Sequence, residues 1–236
     1  MSTKKIKQWP GATRERALFD RGAHTIVGVD EVGKGSWAGP LVVGIAMLSR
    51  EMVMGEEPAV ALGGVRDSKQ LSEARREEMF EQAAANCLRW STGMASALEC
   101  DQLGMVEAQR LATARGFAAL GGVNVDVAIV DGRWDFVSPH ARKVMLEVKA
   151  DADCVSVAVA SVLAKVTRDR MMRGLATDYP QWHFDTNKGY PCPKHRAALQ
   201  GYGPSAIHRR SWAFMDNFVP WPGTPRVDRN SSPTLF

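Results

Sequence analysis

The chemistry of this chain concentrates in acidic residues at the ends of apolar runs. Asp30 and Glu31 close the β-branched run Thr25 to Val29, and Gly33-Lys34-Gly35 follows at once. An Asp-Glu pair in that place is ordinarily a turn cap or half of a salt bridge, but glycines directly after it let backbone approach a ligand. Asp131 ends Ala128-Ile129-Val130, and Asp151 ends Glu147-Val148-Lys149-Ala150. Singly, each reads as a turn acid bonded to local backbone. Jointly, acids at strand ends collect at one edge of a sheet, where hard oxygen donors suit Mg²⁺ or Mn²⁺. Four converging carboxylates serve two-metal hydrolysis of a phosphodiester: one cation activates water, the other stabilises the leaving oxygen, and no nucleophilic side chain is needed. The sequence has no G-x-S-x-G, H-E-x-x-H or Walker A pattern, so serine-hydrolase, zincin and P-loop chemistries lack their defining residues.

The elements that must position these acids follow from periodicity. Thr25–Val29 and Leu41–Leu48 are predicted as neighbouring strands joined by a Gly-rich loop. Ser72 is the N-cap of a helix reaching Cys87, with Met79, Phe80 and Ala83 at helical spacing. Trp90 to Leu98 alternates as a strand, and Leu103 to Leu120 has a helical period broken by Gly116 and closed by Gly121-Gly122. Val127–Val130 is a buried strand, and Val144, Leu146 and Val148 suit another that leads to Asp151. From Val155 to about Ala176 runs a long helix with Ser161, Lys165 and Asp169 on one face. An irregular segment to Pro193, a short helix near Lys194 to Leu199 and an extended tail after Phe218 complete the chain. Strands mixed with helices predict a three-layer α/β domain over residues 20–218, between flexible ends at 1–19 and 219–236.

Composition narrows the class further. A chain of 236 residues can bury a core unaided, and 45% hydrophobic with 24% charged residues excludes collagen, low-complexity disorder and a disulfide-knitted miniprotein. The longest apolar runs fall short of the roughly 20 residues a bilayer span needs. Lys4, Lys5 and Lys7 lead into Gln8-Trp9-Pro10 rather than an apolar segment, so a cytoplasmic location is expected. Four irregularly spaced cysteines without a C-x-x-C pair suggest reduced thiols. The net charge of +4 is modest, but Lys165, Arg168, Arg170, Arg173, Lys188, Lys194, Arg196, His208, Arg209 and Arg210 crowd the later part. Each alone reads as a solvated face; together they suit a polyanion.

Six segments carry a resemblance: Asp30 to Pro40, Asp67 to Ser72, Val130-Asp131-Gly132, Ser161 to Arg170, Asn187-Lys188-Gly189-Tyr190-Pro191 and His208-Arg209-Arg210-Ser211. In this order the series resembles the type 2 ribonucleases H, and within them the bacterial ribonuclease HII family. The resemblance implies an α/β, ribonuclease H-like fold with a mixed central sheet flanked by helices and a helical C-terminal part. It implies Asp30, Glu31, Asp131 and Asp151 as catalytic, metal-binding acids with Mg²⁺ or Mn²⁺. The family usually has Lys-Gly-Asp where this chain has Lys149-Ala150-Asp151, which leaves Asp153 as a rival. Asp151 is kept because it stands eight residues before Val159, where the family's small-residue run begins.

The resemblance also implies cleavage of the RNA strand of RNA/DNA hybrids and nicking of duplex DNA 5′ to an embedded ribonucleotide, leaving 3′-hydroxyl and 5′-phosphate ends. Recognition of the 2′-hydroxyl separates RNA from DNA. Gly33, Lys34 and Gly35 look like the loop that reads it, and Tyr190 like the ring that packs on the deoxyribose beyond. Ser68, Lys69, Lys165 and Arg168 are expected phosphate contacts, with Asp169 bracing its own helix. Lys34 departs from the family's usual Gly-Arg-Gly, and Gly-Lys-Gly is typical of ribonuclease HIII, which needs runs of RNA. That form usually has an additional N-terminal domain and lacks the tyrosine, so Tyr190 favours ribonuclease HII. The alternatives are a ribonuclease HIII-like enzyme restricted to longer hybrids and a non-catalytic hybrid-binding module. A monomer is expected, and the tip Ser232 to Phe236 is weighed as a weak sliding-clamp contact against a disordered terminus.

Overall fold

The computed structural model describes residues 9–65 and 72–228. In chain order the elements are α1 (Thr13–Asp20), β1 (Ile26–Val32), β2 (Leu41–Met47), α2 (Arg50–Met54), α3 (Pro58–Ala61), α4 (Glu73–Asn86), β3 (Arg89–Ala95), α5 (Ala97–Ala119), β4 (Val125–Asp131) and β5 (Ala141–Glu147). Then follow α6 (Ala150–Asp153), α7 (Val155–Asp178), α8 (Phe184–Asn187), α9 (Pro193–Tyr202) and α10 (Phe214–Phe218). The strands form one mixed sheet in the order β3-β2-β1-β4-β5. β1 runs antiparallel to β2 and parallel to β4, pairing Val29 with Val130.

Period-two alternation divides the core between two faces. Ile26, Val127 and Ile129 pack with α7, α4 and α1, whereas Val27, Val29, Ala128 and Val130 pack with α5. Helix α7 lies unusually close to the sheet. A Cβ on Gly28 would stand 2.2 Å from the Ser156 backbone, and one on Gly44 2.4 Å from the Ala160 carbonyl oxygen. These two glycines admit the helix that carries Ser161 and Lys165 to the end of β1. The C-terminal helices gather an aromatic cluster that includes Trp37, Trp182, Phe184 and Phe214.

Several expectations need correction. Residues 13–20 are helical rather than flexible: Leu18 and Phe19 enter the core, and buried Glu15 accepts from the Ser156 amide and hydroxyl at 3.0 and 2.7 Å. At the other end, Val227 N–H bonds Arg210 O and Arg226 bonds Ser211 O, so residues 219–228 return to the body instead of trailing away. The strand expected to Leu98 stops at Ala95, because Ser96 and Glu99 form a capping box that starts α5. Gly116 does not break α5; its lack of a side chain admits Gly93 of β3, and the non-helical residue is Gly104. The strand expected around Val144 to Val148 ends at Glu147, and Asp151 lies in the single turn of α6 rather than at a strand end. The Ser72 cap stands, with its hydroxyl accepting from Arg75 N–H.

Candidate active site

Parallel pairing of β1 with β4 carries Asp30 and Asp131 to the same end of the sheet, each one residue beyond the Val29–Val130 pair. Alternation turns both toward α7, in phase with Ile26 and Ile129. Asp30 is nearly sealed from solvent. Burial, opposed by a Ser161 hydrogen bond and reinforced by repulsion from Glu31 and Asp131, pushes its carboxyl up to about 7. Its Oδ1 accepts from Glu31 N–H at 2.8 Å. Glu31 and Asp131 are therefore both within electrostatic reach of Asp30.

The fourth arrives through α6. Lys149, in left-handed conformation at φ 62°, turns the chain from β5 so that Ala150 N–H donates to Asp131 Oδ1 at 2.9 Å. The next residue, Asp151, is only 6% exposed, whereas Asp153 faces solvent. Of the two rivals, Asp151 is the buried one, and it directly follows the residue whose N–H bonds Asp131. Asp30 thus interacts with Glu31 and Asp131, and Asp151 is joined to them through the Ala150–Asp131 bond of its neighbour; among the described residues no three His, Cys, Asp or Glu side chains form a group that could hold a metal ion.

A groove of about 440 Å³ opens beside Asp30 and Glu31. One wall is the loop Gly33-Lys34-Gly35 with Tyr190; the other carries Ser161, Lys165 and Arg76. Gly33, at φ 88°, adopts a conformation that a side chain would strain, and its N–H donates to the Tyr190 hydroxyl at 3.1 Å. Lys34 Nζ reaches to 3.4 Å from Glu31. Lys165 donates to both Asp169 oxygens at 2.6 and 2.7 Å, which confirms Asp169 as a brace.

Arg168 is not a phosphate contact. It is 0% exposed, and its guanidinium donates to Pro40 O, Lys188 O, Ala38 O and Ser36 Oγ. It ties the glycine loop to the Tyr190 segment, with its cation 5.3 Å from the centre of the Tyr190 ring. Ser68 and Lys69 lie outside the described residues. Sequence reasoning missed Arg76, whose place at the groove depends on how α4 crosses α7 and leaves no local signal. It also missed Ser161 as a partner of Asp30, although its position one turn before Lys165 on the same face was visible.

This sheet order, with acids ending adjacent parallel strands below a basic groove, defines a ribonuclease H-like phosphodiester hydrolase. The Ribonuclease HII family model matches residues 27–215. Ribonuclease HII of Streptomyces coelicolor is 42% identical over 213 residues, covering 90% of this chain and 87% of the relative. The ribonuclease H2 structure from Pyrococcus horikoshii OT3 superposes with a TM-score of 0.65 at 29% identity, covering 82% of this chain and 96% of that one. The PCNA:RNase HII complex from Archaeoglobus fulgidus gives a TM-score of 0.66 at 27% identity with the same coverage. The chain belongs to the ribonuclease HII family and is a ribonuclease H enzyme, with activity on RNA/DNA hybrids. Among the described residues no helix is long and apolar enough to cross a membrane.

Proposed function

We propose that this enzyme nicks duplex DNA on the 5′ side of an embedded ribonucleotide, as well as cutting the RNA strand of hybrids, leaving 3′-hydroxyl and 5′-phosphate ends. The observation that carries the reading is Asp30, buried at the end of β1 and raised toward neutrality in part by Glu31 and Asp131. An all-oxygen donor set under mutual repulsion fits hard divalent cations. Asp30, Glu31, Asp131 and Asp151 would hold them. Bound there, Mg²⁺ or Mn²⁺ would supply water activation and charge stabilisation at the scissile phosphate.

The chain's own groups do the positioning. Ser161 orients Asp30, and Ala150 N–H orients Asp131. Lys165 and Arg76 give the groove wall positive charge for the phosphate backbone, which sets register without reading bases. Gly33 and Gly35 offer backbone to a 2′-hydroxyl. Tyr190, held by Gly33 N–H, stands where its ring can pack on the sugar that follows. That bond favours single-ribonucleotide recognition over the ribonuclease HIII-like alternative.

The Archaeoglobus neighbour is a complex with PCNA, which supports a sliding-clamp contact here through the C-terminal tip, residues outside those described. The test of the main reading compares a duplex carrying one ribonucleotide with a continuous hybrid, each with Mg²⁺ or Mn²⁺. Nicking 5′ to the single ribonucleotide is expected. Cleavage of the continuous hybrid alone would transfer the assignment to ribonuclease HIII-like specificity.

A further inference from the structure

Two buried histidines stand behind Tyr190. His195 of α9 and His208 place their Nε2 atoms 2.9 Å apart. Such a contact holds a single proton, and the outer partners decide which ring carries it. Ser205 N–H points at His208 Nδ1 from 2.9 Å, with the Ser205 hydroxyl 2.7 Å away. Nδ1 of His208 is therefore the acceptor, and its Nε2 bears the hydrogen. His195 Nδ1 lies 2.9 Å from the Tyr190 carbonyl oxygen, which can only accept. His195 thus carries its hydrogen on Nδ1 and accepts at Nε2. The bonds run one way, from Ser205 through His208 and His195 to the backbone of Tyr190.

Both rings must be neutral for this chain to exist, because a second proton on either would leave two donors face to face. Burial holds both imidazoles below their ordinary value, His208 down to about 3. The same segment also grips the glycine loop. His208 forms a bridge pair with Ala38, and Trp37 N–H donates to Gly189 O at 2.8 Å. Tyr190 is accordingly fixed at its hydroxyl by Gly33 and at its carbonyl by His195.

We propose that His195 and His208 are positioning residues that hold the Tyr190 backbone, so that its ring stands against the glycine loop and discriminates a single ribonucleotide from a continuous hybrid. The inference rests on the reading of Tyr190 as the ring that packs beyond the ribonucleotide.

Two substitutions at one position separate positioning from packing. In His195→Asn the amide nitrogen falls near the place of Nδ1 and keeps the bond to Tyr190; in His195→Gln the amide oxygen falls near Nε2 and accepts from His208, leaving the Tyr190 carbonyl without its donor. The experiment measures kcat/KM on the single-ribonucleotide duplex and on the continuous hybrid, with Tyr190 and with Tyr190→Ala. His195→Gln is expected to lower the single-to-hybrid ratio about 3- to 10-fold, the scale of one lost hydrogen bond. His195→Asn should stay within about 2-fold of the parent, and Gln should add no further loss once Tyr190 is Ala. Equal effects of Asn and Gln, or an undiminished effect of Gln beside Tyr190→Ala, would overturn the proposal. If Tyr190→Ala leaves the ratio unaltered, the reading of Tyr190 itself fails and takes this inference with it. A ratio that moves with Tyr190→Ala but not with His195→Gln rejects the histidine role alone. Imidazole nitrogen NMR of the unsubstituted protein gives a direct check: neutral Nδ1–H for His195 and neutral Nε2–H for His208 are expected, and any other pairing refutes the chain.

Discussion

Asp30→Asn is expected to abolish turnover and, in metal-free solution, to make the protein more stable at alkaline pH. Burial first, then Glu31 and Asp131, raise the Asp30 carboxyl from 3.8 to about 7, against the opposing hydrogen bond from Ser161. Each pH unit of displacement is worth about 1.36 kcal/mol, so keeping this group ionised well above pH 7 costs on the order of 4 kcal/mol. The folded state holds the proton up to about pH 7, whereas the unfolded chain releases it near its ordinary value. The cost is therefore absent below the ordinary value, grows as pH rises between the two, and is complete above the higher one. Asn is neutral, nearly isosteric and still able to accept from Glu31 N–H. Urea unfolding in the presence of a chelator, near pH 4 and at about pH 8.5, compares the two proteins. The variant should gain about 2–4 kcal/mol at the higher pH, allowing for relaxation around the site, and little at the lower. Equal or lower stability of Asp30→Asn at the higher pH would show that burial and the neighbouring acids do not hold the Asp30 carboxyl up, and the site reading would fall.

Asp131→Asn keeps the acceptor for Ala150 N–H, so folding should survive while hybrid cleavage falls on the order of 100-fold or more; undiminished cleavage would remove Asp131 from the site. Arg168→Met leaves the carbonyls of Pro40, Ala38 and Lys188 without their buried donor, and urea unfolding should show a loss of about 3 kcal/mol or more. Arg76→Ala should weaken hybrid binding about 3- to 10-fold regardless of sequence and reduce the salt slope by about one counterion; an unaltered slope would place Arg76 away from phosphate. Gly28→Ala drives a Cβ into the Ser156 backbone, with an expected loss of about 1–3 kcal/mol in urea unfolding and reduced turnover as Ser161 is pushed from Asp30.

The acid-bearing strands were legible because they obey local rules. The apolar runs ending in Asp30 and Asp131 became β1 and β4, and the face shared by Ser161, Lys165 and Asp169 became one side of α7. Helix α1 was not legible, because its burial depends on Glu15 reaching Ser156, a partner 141 residues away. Arg168 illustrates the same limit from the opposite direction. Within a basic stretch it reads as one more cation for phosphate, yet in the fold it is enclosed by carbonyls from two distant loops.

By itself, the sequence determined which residue types stand at strand ends and which glycines can accept a neighbour, since period and side-chain size act over a few residues. It also carried, in ordered motifs, the family to which the chain belongs. Only the tertiary structure decided that Asp30 and Asp131 are neighbours through parallel pairing, that Asp151 rather than Asp153 turns inward, and that two histidines stand behind Tyr190. Those outcomes depend on pairing register and on desolvation by distant elements, which are properties of the packed whole rather than of any segment.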